Sequence, residues 1–139
     1  MRQPYGFGTT LRVPYDQAIS QVKEALNAEG FGVLTEIDVR RTLQEKIGVE
    51  MPPYLILGAC NPALAHRAIT EEAEIGLLLP CNVVVRAVDD GSRVEIADPR
   101  AMLSIVGNAR LDEVAAEAER RLRRALATLE ASAGATRAG

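Results

Sequence analysis

From Tyr5 to Val13 apolar and small or polar residues alternate: Tyr5, Phe7, Leu11 and Val13 occupy odd positions, and Gly6, Gly8, Thr10 and Arg12 even ones. That period of two predicts a first strand with one buried face. The period then changes. Pro14 suits a first helical turn, Asp16 complements the helix dipole, and Ile19, Val22, Ala25 and Leu26 form one apolar stripe that Gly30 closes. Alternation resumes with Phe31, Val33 and Ile37 set against Glu36 and Asp38, which predicts a second strand. Asp38 is placed to cap a short helix whose Val39, Leu43 and Ile47 are spaced four apart and which Gly48 ends.

After Met51-Pro52-Pro53, the run Tyr54-Leu55-Ile56-Leu57-Gly58-Ala59-Cys60 is apolar in character at every position, as expected of a central strand covered on both faces. Asn61-Pro62 supplies a cap and a first-turn proline for a helix with Leu64, Ala65, Ala68 and Ile69 inward, ending at Gly76. Cys81 to Val88 and Arg93 to Ala97 flank the turn Asp89-Asp90-Gly91-Ser92 and are expected to pair as an antiparallel hairpin. Asp98-Pro99 repeats the cap-and-proline device ahead of a short helical turn through Met102, Leu103 and Ile105. Leu111, Val114, Ala115, Ala118, Leu122, Ala125, Leu126 and Leu129 then mark a long amphipathic helix, the strongest periodic signal in the chain.

The order strand, helix, four strands, helix predicts an α+β fold: a curled antiparallel sheet wrapped on the long C-terminal helix, with short helices inserted. Residues 1–130 are expected to form one domain and 131–139 a frayed tail. With 139 residues, 47% hydrophobic and only 4% aromatic, the core must be built from aliphatic side chains and alanine. A net charge of −3 offers no general attraction to nucleic acid or anionic lipid. No apolar run approaches a bilayer span and the N-terminus lacks a signal-peptide core, so the expected location is cytoplasmic, with free thiols rather than a disulfide.

The candidate chemistry gathers in two short words, Gly58-Ala59-Cys60-Asn61-Pro62 and Leu79-Pro80-Cys81-Asn82-Val83. If their strands pair, the two thiols are expected to approach within several ångströms, with Cys60 beside a helix N-terminus that would lower its pKa. Cys60, Asn61, Cys81 and Asn82 are therefore the candidate cluster. Filling gaps at strand ends is the competing role for the thiols, and capping for Asn61. A soft-metal set would have to combine Cys60, His66 and Cys81, with Asp98 or Met102 to complete the sphere, and it lacks the close-spaced ligand pairs of structural zinc sites. Glu71, Glu72 and Glu74 read as a solvated helix end, and Arg120, Arg121, Arg123 and Arg124 as ion-pairing partners of Glu113, Glu117 and Glu119. Gly6 and Gly8 form no phosphate loop.

The order of elements, taken with the segments 54–62 and 79–85, resembles the family known as domain of unknown function 302 over about Tyr5 to Leu129. The resemblance implies a TATA-binding-protein-like fold and a homodimer, without an assigned activity, cofactor or catalytic residue; a fold label alone transfers no DNA binding. Two readings follow. One is a homodimeric binding module whose second sheet face is closed by a sister subunit and which takes a small ligand near Cys60 and Cys81. The other is a thiol-dependent redox or soft-metal-handling protein using the same pair. No cofactor, nucleic acid or membrane partner is expected.

Overall fold

The structure, a computed structural model, describes residues 4–132 and 136–137. Five main strands, β1 (Gly6–Leu11), β2 (Gly32–Asp38), β3 (Tyr54–Cys60), β4 (Cys81–Val88) and β5 (Gly91–Ala97), pair antiparallel in an open sheet. Their spatial order is β2-β3-β4-β5-β1, with the two-residue β6 (Thr136–Arg137) added outside β1. The connecting helices are α1 (Tyr15–Ala28), α2 (Val39–Ile47), α3 (Pro62–Glu71), α4 (Pro99–Ser104) and α5 (Asp112–Ser132). Of the segment expected to fray, Ala131 and Ser132 continue α5 and Thr136–Arg137 pair with β1; residues 133–135, 138 and 139 lie outside the described residues.

One face of the sheet carries the core. Register pairs Phe7 with Ile96, Thr9 with Val94, Val83 with Ile96, Val85 with Val94, Leu57 with Val83 and Leu55 with Val85. Directly paired residues point to the same side of a pleated sheet, so all these side chains meet α1 and α5. From α1 come Ala18, Val22, Ala25 and Leu26, and from α5 Val114, Ala115, Ala118, Leu122, Ala125, Leu126 and Leu129, all buried. The stripe read from the sequence of the last helix is thus its buried face. A fully buried leucine such as Leu122 contributes about 2 kcal/mol by removal from water. Arg123 lies 4.1 Å from the Phe7 ring centroid and closes the edge of this layer.

The other sheet face has none of the long helices against it. Across it runs a row in which Ile37 pairs with Ile56, Ile56 with Val84, Val84 with Glu95 and Glu95 with Gly8. Glu95 is shared by Arg86 at 3.2 Å and Arg93 at 3.6 Å, and Arg93 also donates to Thr10 Oγ1 at 3.4 Å. Gly8 makes room: a Cβ there would meet the Val94 carbonyl oxygen at 2.2 Å and Glu95 Cγ at 3.0 Å.

Ile37 reached this face against expectation. Plain alternation would keep it beside Val33, but a β-bulge between Val33 and Thr35 shifts the register by one residue. Beyond the bulge, Glu36 pairs with Leu57 on the helix side, where Lys23 of α1 meets it at 2.6 Å, and Ile37 turns outward at 48% exposure. Two further boundaries differ from the sequence reading. The helix after Asn61 stops at Glu71, not Gly76, and Ala73–Leu78 continues as a separate 3-10 turn. Helix α2 carries its Val39, Leu43 and Ile47 stripe with no residue fully buried.

Candidate functional site

At the end of the sheet where β3 stops and β4 begins, the layers separate around a cavity of about 200 Å³. Its walls come from Ala59 and Cys60 of β3, Cys81 and Asn82 of β4, the 3-10 turn with Leu77, helices α3 and α4, and α5. The space follows from residue size. Ala59, Ala65, Ala68, Ala97 and Ala118 face it from four different elements, so opposing backbones are held apart without side chains large enough to fill the gap. Phe31, Met102 and Leu103 provide the bulkier walls. Among the described residues none that lines the cavity is charged, and Asn82 and the two thiols are its polar side chains.

Asn61 builds the site rather than lining it. It is buried, its Oδ1 accepts the Leu64 N–H at 3.2 Å as the cap of α3, and its Nδ2 lies 2.9 Å from where a Cβ on Gly30 would stand. Gly30, at φ +84°, therefore serves both the end of α1 and the space for this cap. Asn82 is different: it is exposed at the rim and makes no side-chain hydrogen bond among the described residues. Gly58 lets Pro80, a lining residue, pack close to β3, since a Cβ there would meet Thr35 Oγ1 and, at 2.8 Å, the Pro80 ring.

The two cysteines are not close, contrary to the expected thiol pair. Cys81 stands opposite Ala59 in the ladder, so Cys60 is one residue out of step and leaves β3 on the other face. Both border the cavity, from different sides. Nor is Cys60 activated. Asn61, not Cys60, occupies the cap, and burial raises the Cys60 thiol above its ordinary pKa. Burial pushes Cys81 up to about 11, with the electrostatic effect of Cys60 as the lesser cause. Both thiols therefore carry their protons at neutral pH.

The remaining candidates disperse. His66 is exposed on α3 and borders a separate polar groove with Arg67, Thr70, Glu71, Arg110 and Glu113. Among the described residues no three histidine, cysteine or acidic side chains gather as metal ligands, so Cys60, His66 and Cys81 do not assemble into a site. Glu71 pairs with Arg110 at 3.7 Å, and Glu72 accepts from Asn108 Nδ2 at 3.1 Å. On α5, Glu117 meets Arg120 and Arg121 and Glu119 meets Arg123, as the spacing implied, whereas Arg124 reaches Glu29 of α1 and Glu113 pairs with Arg67 of α3 at 3.5 Å. What sequence reasoning missed is the alanine set that opens the cavity. Each alanine reads as ordinary core, and only their convergence from separate elements makes a pocket.

Residues 7–129 match the family described as domain of unknown function DUF302. A crystal structure of an uncharacterized conserved DUF302 protein from Bacillus stearothermophilus superposes with a TM-score of 0.83 at 30% sequence identity. The alignment covers 90% of this chain and 98% of that one. No curated protein matches the chain.

Proposed function

This chain belongs to the DUF302 family, and we propose that it is a small homodimeric binding module whose cavity between β3, β4, α3, α4 and α5 holds a compact apolar ligand. The observation that carries this reading is the uncharged cavity of about 200 Å³. Voids in a core are costly: mutational series give about 24 cal/mol for each Å³ left empty. On that scale this space forgoes on the order of a few kcal/mol, which larger side chains at some of the alanines could recover. A ligand that binds only the folded chain returns that stability by mass action.

A second copy on the open sheet face is supported by the apolar row Ile37, Ile56 and Val84, which no long helix among the described residues covers, and by the dimer that the family resemblance implies. Two unpaired cysteines fit a reducing compartment, the cytoplasm. Among the described residues no helix is long and apolar enough to cross a membrane. The redox or soft-metal reading has less to stand on, because the thiols are apart and protonated.

The test is a ligand-observed NMR screen of small neutral compounds against the wild-type protein and Ala118→Leu, in which the cavity is filled. Compounds that bind the wild type and are lost in the folded variant support the reading. A screen without binders, or with binders indifferent to the substitution, overturns it.

A further inference from the structure

From the residues that line the cavity, and resting on its being a ligand site as proposed above, we infer that it selects an uncharged planar aromatic group of one or two rings, about the size of indole. Three features of the lining point there. The first is electrical: no cation is present to pair a carboxylate and no acid to pair an amine among the described lining residues, and a buried unpaired charge is strongly disfavoured. The part of the ligand that enters must be neutral.

The second feature is size. An apolar cavity of roughly 150 Å³ is enough to admit benzene, so about 200 Å³ accommodates one ring with substituents or a small fused pair. Larger ring systems would have to protrude past Leu77, which is 87% exposed at the mouth.

Chemistry is the third. Cys81 and Met102 bring two sulfur-bearing side chains to one small cavity, which Cys60 borders from the other side of the sheet, and Phe31 is its aromatic wall. Polarizable sulfur against a ring edge is favoured over sulfur against an alkyl chain, and Phe31 adds an offset or edge-to-face partner. At the rim, the carboxamide of Asn82 offers both a donor and an acceptor, so the ring should carry one hydrogen-bonding group directed outward.

The chain contains no tryptophan, so indole excited at wavelengths beyond tyrosine absorption can serve as its own reporter. Titrating indole into the wild-type protein should give a saturable blue shift of its emission, and 1-hexanol should compete poorly. Met102→Leu keeps the volume but removes one sulfur, and should weaken indole about twofold to tenfold while leaving 1-hexanol unchanged. Ala118→Leu should abolish the signal; Ala65→Leu, at a half-buried position, does the same job if the first variant fails to fold.

The failures separate. If 1-hexanol binds as tightly as indole, if indole-3-acetate binds no more weakly, or if Met102→Leu leaves indole affinity unchanged, the aromatic class is wrong while the pocket stands. If neither indole nor 1-hexanol binds, or if indole binds both filled variants as well as the wild type, this inference and the ligand site fall together.

Discussion

Cys81 faces Ala59 across the β3–β4 ladder, and this one-residue offset keeps Cys60 on the opposite side of the sheet. A disulfide needs Cβ atoms about 4 Å apart with converging directions, and neighbours on opposite faces of a pleat diverge. Oxidation of the folded protein with diamide should therefore leave both thiols free, read as two alkylatable groups per chain by mass spectrometry after unfolding. An intramolecular bridge formed in high yield under native conditions would contradict the register.

The Cys81 thiol also gives the stability a pH dependence of defined sign. Its pKa is raised on folding to about 11, so between about pH 9 and pH 11 the unfolded chain loses this proton first while the folded chain keeps it. The unfolded state then binds fewer protons, and stability falls as pH rises through that window, by at most about 2–3 kcal/mol. Tyr15, raised by burial and by Asp38, adds a slope of the same sign. Urea denaturation of wild type and Cys81→Ala across this range should show the shallower slope in the variant; identical slopes would count against a buried, protonated Cys81.

Asn61→Ala removes a buried helix cap and leaves the Leu64 N–H unpaired. The expected loss is about 1–2 kcal/mol of stability, measured by chemical denaturation. Gly58→Ala should cost about 1–3 kcal/mol, because its new methyl meets the Pro80 ring and Thr35 together. A neutral result at either position would remove its assigned role in shaping the cavity wall.

Much of this scaffold was legible in the residues. The caps Asp38, Asn61 and Asp98 all accept from the helices they precede, and the α5 stripe is buried as its spacing implied. These signals are local, so the chain near each residue decides them. The bulge in β2 was not legible, because Thr35 and Leu34 offer no glycine or proline to mark the extra residue, and it sends Ile37 to the open face. The thiol separation was hidden for the same reason: strand neighbours can be read from a sequence, but a single step of register decides which face a side chain takes. Burial then reversed the expected direction of the Cys60 pKa.

The proposed dimer makes a separate demand on that open face. Ile37→Glu places a charge in the apolar row at a position already 48% exposed, so the monomer should tolerate it. Light scattering after size exclusion is expected to give a dimer for wild type and a monomer with unchanged circular dichroism for the variant. A wild type that remains monomeric at tens of micromolar would remove the second copy from this surface.

The most direct measurement of the central claim is ¹²⁹Xe NMR on the folded protein, because xenon enters dry apolar cavities of this size without needing a particular shape or hydrogen bond. Wild-type protein should give a saturable xenon shift and perturb the resonances of Ala59, Cys81, Met102 and Ala118, all lost in Ala118→Leu. Xenon shifts no larger than those of the filled variant would contradict an open apolar cavity at the end of the sheet.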